Sequence, residues 1–322
     1  MRFSKIFDFL PPPKFLDMPF AGVAISDTAI RCIKFEKTNK GLHVDKYKEL
    51  LLNPGVVSSG QVNKKEELKQ ILADLKKDLD LKYVKVSLPE EKAYLFTAKI
   101  PIVKQAEVRG VIESKIEENV PVPGSELVFD YKLIDHRSQG HFDVVVSSFP
   151  ITVIQTYVEI VQDSGLLPLS LEIESQAIVR AVVDKNNSGT VLVVNFEHDK
   201  VGLYVATDRI VRFTSTILFK AELADNTSYL SQEIKKLYTY WHTMKENLDK
   251  PEKRISQIIL CGENFNEEII SYLSTHNKTT VISSNVWTNV FDINQSVPPI
   301  SFSDSLKYAA AIGLALSSDT LI

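Results

Sequence analysis

The stretch VLVVNFEHDKVGLYVATDRIVRFTST, residues 191–216, decides the fold class. A four-residue apolar run leads into a polar turn, an alternating run, a second short turn and a third run. That is the pattern of a three-strand antiparallel meander whose first strand is buried on both faces. The chain has already used the same order near its start. AGVAISDTAIRCIKFEK (residues 21–37) and GLHVDKYKELLL (residues 41–52) read as an apolar strand, a Ser/Asp/Thr turn, a second strand, a Gly turn and a third strand. Two sheets of one build, about half a chain apart, predict a duplicated α/β architecture whose repeat is a domain.

Length and composition agree. At 322 residues the chain is too long for one ordinary core and suits two domains. Hydrophobic residues at 44% and charged residues at 24% are those of a globular protein. A net charge of −4 speaks against non-specific nucleic-acid binding, which needs a clustered basic face. Cys32 and Cys261 each lie inside an apolar strand-like run, so they read as small buried hydrophobes in a reducing compartment rather than as a disulfide. No run approaches the roughly 20 apolar residues that cross a bilayer. In MRFSKIFDFL, residues 1–10, charges interrupt the apolar residues and prolines follow, which is not a cleavable leader. Phe3, Ile6, Phe7 and Leu10 would suit a short helix on a membrane surface or a partner, and a loosely held tail is the plainer reading.

The first meander is followed by an amphipathic helix in NKKEELKQILADLKKDLDLK (residues 63–82), with Leu68, Ile71, Leu72, Leu75 and Leu79 on one face, and by the strand YVKVSL (residues 83–88). This is a βββαβ unit. Residues 93–148 then break the rhythm with a strand, a helix, the turn VPVPGSE and two more strands, which predicts an inserted α+β subdomain. A helix from residue 175 closes the first domain, and DKNNSG marks the boundary. The expected division is a tail at 1–20, a first domain at 21–187 carrying the insertion at about 93–148, and a second domain at 188–322. The second domain continues with a long helix at 228–244, the strand ISQIILCG, a helix at 265–276, a poorly patterned Ser/Asn/Pro stretch, and DSLKYAAAIGLAL, whose small residues suit close packing in a buried terminal helix.

Three segments carry a family resemblance: IESKIEENVPVPGSELVFDYKLI (residues 112–134), YVEIVQDSGLLPLSLEIESQAIVRAV (residues 157–182) and residues 301–316. Together with the element order they resemble the PilM group of type IV pilus assembly proteins and its cell-division relative FtsA, within the actin-like superfamily. The resemblance implies an actin-like, ribonuclease H-like duplicated two-domain fold. It also implies nucleotide chemistry at three loops: two strand-ending Asp-Ile-Gly-type turns that cradle phosphates beside Mg²⁺, and a Gly-Gly turn beside the adenosine. Such loops need glycine for close backbone approach and a carboxylate for a hard cation.

This chain departs at all three. Ala24 and Ser26 stand where the first loop has Asp and Gly, Asn195 and Glu197 where the second does, and Gly262 is followed by Glu263. Both metal-side carboxylates are lost, and Glu197 and Glu263 would bring negative charge towards a polyphosphate. The nucleotide-loop positions carried over are Ser26, Asp27, Thr28, Glu174, Asn195, His198 and Gly262. Asp27, Thr28 and His198 read equally as turn residues, and Glu174 as a residue favoured at a helix start. His136 and His141 flank a polar loop but lack further ligands and read as solvated rather than as a metal pair. No Walker-type, GxSxG or HExxH motif occurs.

The resemblance therefore implies a non-catalytic scaffold with no required cofactor, ATP and Mg²⁺ being what intact loops would bind. It implies a place at the cytoplasmic face of the bacterial inner membrane and a partner in the cytoplasmic N-terminal tail of a PilN-like membrane protein, received between the first domain and residues 93–148. Other pilus-machine components are implied as further partners, and peripheral membrane contact through the N-terminus is left open. Two alternatives stand beside it: a working Mg²⁺-dependent actin-like ATPase, and an FtsA-like filament former.

Overall fold

The computed structural model describes residues 19–316 apart from 39–40, 137–139, 220–225, 249, 278 and 292–296. Most of the expected tail lies outside the described residues, as does the side chain of His136.

The first meander is β1 (Phe20–Ile25), β2 (Ala29–Thr38) and β3 (Gly41–Leu51), each antiparallel to the next. A short hairpin follows, β4 (Val57–Ser58) with β5 (Gln61–Val62), in a stretch that reads from sequence only as a turn. Helix α1 (Lys65–Leu79) has acids in its first turn and lysines in its last, matching the helix dipole, and buries Leu68, Leu72 and Leu75. Strand β6 (Tyr83–Leu88) runs parallel to β1.

The inserted unit comprises β7 (Tyr94–Pro101), α2 (Gln105–Asn119), β8 (Leu127–His136) and β9 (His141–Pro150), a three-stranded sheet of order β7-β9-β8. One face of that sheet packs α2 through Val108, Ile112 and Ile116 against Phe129, Val144 and Val146. The host domain resumes with α3 (Ile151–Asp163), β10 (Leu167–Ile173) and α4 (Glu174–Val182).

The second domain contains β11 (Thr190–Phe196), β12 (Lys200–Thr207), β13 (Ile210–Leu218), α5 (Asn226–Thr243), β14 (Ile255–Gly262), α6 (Glu267–His276) and β15 (Thr280–Ser283). The Ala-rich terminal segment is a split element: α7 (Phe302–Ser305), one 3-10 turn, and α8 (Ala309–Ala315). The sheets have orders β10-β6-β1-β2-β3 and β13-β12-β11-β14-β15. Read from the third meander strand inward, the two orders are the same, so the duplication visible in the sequence is a duplication of topology.

Three apolar cores follow. Helices α1 and α3 cover the outer face of the first sheet, and α5 and α6 that of the second. Between the sheets lie α4 and α8, packed on one another and enclosed by residues of both sheets, among them Ala24, Ile33, Val193, Tyr204 and Ile259. The two helices come so close that a Cβ on Gly313 would lie 1.7 Å from the Ala177 carbonyl oxygen. This shared layer brings the β1–β2 and β11–β12 turns face to face.

Candidate functional site

The β1–β2 turn is closed by its own side chains. Ser26 Oγ donates to the Ala29 carbonyl at 3.0 Å and accepts from its N–H at 3.1 Å, as turn serines do. Asp27 accepts backbone N–H bonds from Ser59 at 2.8 Å and Gly60 at 3.1 Å. Both of these residues have positive φ, 47° and 70°, so consecutive N–H groups form an anion-binding concavity. The protein's own carboxylate fills it. The Thr28 carbonyl accepts from Leu52 N–H at 2.8 Å.

Across the cleft, Asn195 is buried as the last residue but one of β11, and His198 is exposed at the tip of the β11–β12 turn. Lys200, which opens β12, is 5% exposed. Its Nζ contacts Glu91, Glu197 at 3.3 Å and Asp27 at 3.6 Å. Glu91 lies in the 3-10 turn Glu90–Lys92 after β6, so this ion cluster joins the two domains. Burial alone would lower the Lys200 ammonium, but Glu197, Glu91 and Glu174 outweigh it and hold it well above the usual lysine range. Burial pushes Glu197 up to about 7, with Lys200 pulling the other way. Glu174, buried at the start of α4, is pushed well above the usual carboxylate range by burial and then by Glu197. Burial likewise raises Glu90 to about 7, and its Oε2 accepts the Ser175 N–H at 3.1 Å.

A second ionic bridge spans the other side of the cleft. Arg31 on β2 holds Glu49 on β3 at 2.8 Å and Glu263 at 2.7 Å, and Lys307 in the 3-10 turn before α8 pairs with Glu49. Gly262 is required by a close approach of the chain to itself: φ is +96°, and a Cβ would lie 2.0 Å from the Phe196 carbonyl oxygen. Its place beside β11 thus needs no adenosine to explain it.

Of the positions carried over from sequence, Ser26, Glu174, Asn195 and Gly262 converge on one cavity, with Arg31 and Glu197. Its volume is about 20 Å³, room for about one water, whereas ligand pockets run to several hundred. Asp27, Thr28 and His198 do not line it. The repulsion expected of Glu197 and Glu263 needs correcting: each carboxylate is matched by a cation, Lys200 and Arg31 respectively. Sequence reading missed Arg31, Lys200 and Glu91. A signal existed for Glu91, since an acid just beyond the carboxyl end of a parallel strand sits where α/β proteins place their sites. His141 lies 3.2 Å from Asp143, and among the described residues no cluster suited to a metal ion occurs. Both cysteines are buried thiols, Cys32 pushed up to about 12 by burial.

The large cavity lies elsewhere. About 750 Å³ opens between the free face of the inserted sheet and the first domain's α4 with the β12–β13 turn. Leu95, Ser147 and Asp130 are cross-strand neighbours on that face, as are Val145 and Lys132. The opposite wall carries Gln176, Arg180 and Arg209. Gln176 holds the turn from both sides, donating to the Arg209 carbonyl at 3.0 Å and accepting from Val211 N–H at 3.1 Å. Arg180 is pinned to Glu172 at 2.5 Å and to the Gly313 carbonyl at 2.8 Å. Asn289 ties down the segment after α4, donating to Val183 O at 2.7 Å and accepting from Lys185 N at 2.9 Å. Burial, then Arg212 and Arg209, lower the Lys132 ammonium, so this end of the groove is crowded with cations. The inserted wall falls within residues 93–148; no local pattern in the sequence points to the opposite wall.

Against known proteins, a family model described as type IV pilus assembly protein PilM matches residues 22–238. No curated protein sequence matches the chain. Among solved structures, a PilM–PilN type IV pilus biogenesis complex is similar at 15% identity and TM-score 0.77, over 92% of this chain and 98% of that one. The ethanolamine utilization protein EutJ from Carboxydothermus hydrogenoformans is similar at 13% identity and TM-score 0.51, over 95% of this chain and 90% of that one. At these identities the likeness is one of fold, and it is the actin-like fold that the family resemblance implies.

Proposed function

The chain belongs to the PilM family of type IV pilus assembly proteins, and from that membership we propose that it is a non-catalytic scaffold whose 750 Å³ groove receives the cytoplasmic tail of a PilN-like inner-membrane protein. The observation that carries the reading is the groove itself. It has an open sheet face on one side, a wall fixed by Gln176, Arg180 and Asn289 on the other, and a mixed lining of Leu95, Val145 and Ile210 with charged ends. A short extended segment suits such a slot, its apolar side chains entering and its backbone meeting polar groups at the rim. The protein would then work at the cytoplasmic face of the inner membrane, and among the described residues no helix is long and apolar enough to span a bilayer.

The narrow cleft supports the non-catalytic half of the proposal. A nucleotide would have to displace both ionic bridges and enter a space of about 20 Å³ beside Glu197 and Glu174. Calorimetry with ATP is expected to give no heat of binding up to millimolar concentration, with or without Mg²⁺; micromolar binding strengthened by Mg²⁺ would move the ATPase alternative ahead.

The partner test uses the full chain and a labelled peptide of a PilN-like cytoplasmic tail. Val145→Glu and Lys132→Glu are expected to weaken binding at least tenfold, because one puts a charge on the apolar floor and the other reverses the charge at the cationic end. Glu174→Gln, in the cleft, should leave affinity unchanged. Binding that survives both groove substitutions, or deletion of residues 93–148, would refute the assignment.

A further inference from the structure

Helix α8 delivers the chain to the groove. Leu316 follows it with extended backbone, φ −69° and ψ 133°, and lines the 750 Å³ cavity. A path of contacts runs from there to the inserted wall. Arg180, in the same lining, donates to the Gly313 carbonyl of α8 at 2.8 Å, and its charge is felt by Lys132 on β8 together with those of Arg212 and Arg209. Arg180 is neutralised by Glu172. The half-buried Lys132 is not: Asp208 is a weaker opposing charge, and among the described residues neither it nor Asp130 forms an ion pair with the ammonium. An ammonium held among guanidinium groups and partly out of water is stabilised by any carboxylate that can reach it.

The residues after Leu316 supply one. Residues 317–322, SSDTLI, lie outside the described residues and carry a carboxylate three positions on, followed by two apolar side chains. Extended chain advances about 3.3 Å per residue, which puts Asp319 within about 10 Å of Leu316 and Ile322 within about 20 Å, enough to cross the cavity. We infer that residues 317–322 fold back into the groove, Asp319 pairing with Lys132 and Leu321 lying on the sheet face at Ser147 and Leu95, so that the chain carries its own occupant for this site. A tethered segment competes at an effective concentration in the millimolar range and needs no strong contacts. Filling the groove about nine-tenths of the time weakens the apparent affinity of an incoming segment about tenfold. The occupancy stands on groove geometry, whereas its use in regulating entry of a PilN-like tail rests on the function proposed above.

Occupancy is tested without any partner, by disulfide formation in the full chain carrying Ser147→Cys and Leu321→Cys; the native thiols are buried. The intramolecular cross-link formed under mild oxidation is read by gel mobility. Adding Lys132→Glu, or Asp319→Lys, is expected to slow it at least tenfold, and combining the two should restore it, because the ion pair is then reversed. No cross-link, or equal rates in all four chains, overturns the inference. The regulatory step is read with the labelled PilN-like tail peptide: Asp319→Lys, which leaves the groove walls untouched, should tighten its binding about tenfold. An unchanged affinity overturns the competition. A peptide that binds neither chain counts against the pilus assignment instead, and the cross-linking still decides the occupancy.

Discussion

Gly313→Ala is expected to destabilise the protein by about 3 kcal/mol or more, opposite in sign to what helix propensity predicts. In an open helix the same change is stabilising by about 1 kcal/mol, because alanine orders at lower entropic cost. In α8 the added methyl would stand 1.7 Å from the Ala177 carbonyl oxygen and 2.5 Å from its carbon, and both atoms are backbone, which cannot swing aside. The helices must separate, and the layer between the sheets loses its packing on both faces. Gly110 in α2 is the internal control: nothing lies within 4 Å of a Cβ there, so Gly110→Ala should raise stability by about 0.5–1 kcal/mol. Urea midpoints of the two variants, measured side by side, check this. If both move in the same direction, the α4–α8 crossing is wrong.

Lys200→Met should have an effect of similar size with a pH signature that packing defects lack. Methionine keeps most of the volume and removes the charge, leaving Glu91, Glu197 and Glu174 unbalanced; losing one partner of a buried ion cluster costs about 3–5 kcal/mol. Glu197 has a folded pKa of about 7 against an ordinary value of 4.5, and Glu174 is raised as well. A carboxylate raised in the folded state takes up a proton that the unfolded chain releases, so its contribution to stability is full below about pH 4.5 and lost as pH rises through about 7. Without the ammonium these groups are raised further and the slope steepens. The variant should therefore be weakest near pH 8 and recover most of its deficit near pH 5, read as the difference in urea midpoint from the wild type at each pH. A deficit that is the same at both pH values would mean that lost packing, not charge, is what the variant reports.

The meanders were legible because alternation is local: a strand's own residues carry it, and a duplicated order of strands needs no knowledge of what packs where. Strand β12 shows the limit. Its alternation predicts one wet face, yet all eight residues are buried, because Tyr204 and Ala206 meet the α4–α8 layer while Val201, Leu203 and Val205 meet the outer core. The β4–β5 hairpin has two residues per strand, too few to show a period. Strand β15 and the fully buried Trp287 lie in the Ser/Asn/Pro-rich stretch, where composition hid both. The cleft was harder still. In the sequence Glu197 and Glu263 stand as lone charges facing a phosphate, but their meaning depends on partners elsewhere: Arg31 is 232 residues from Glu263, and Lys200 is 109 residues from Glu91. Only the folded topology brings such pairs together. The groove was half legible for the same reason, with one wall in a continuous segment and the other assembled from α4, a hairpin turn and Asn289.

The placement of α8 also governs the order in which the molecule can be made. Its seat is formed by β1 and α4, yet α8 lies almost the full span of the described residues beyond β1. A chain emerging from the ribosome completes the first sheet and its outer helices early, but the inner face of that sheet stays bare until α8 has been synthesised. During that interval the nascent first domain displays an apolar surface, the kind of surface that chaperones bind and that aggregates grow from. Each half is therefore an incomplete folding unit, and a fragment ending in the linker after α4 should be recovered as a chaperone-bound or insoluble species.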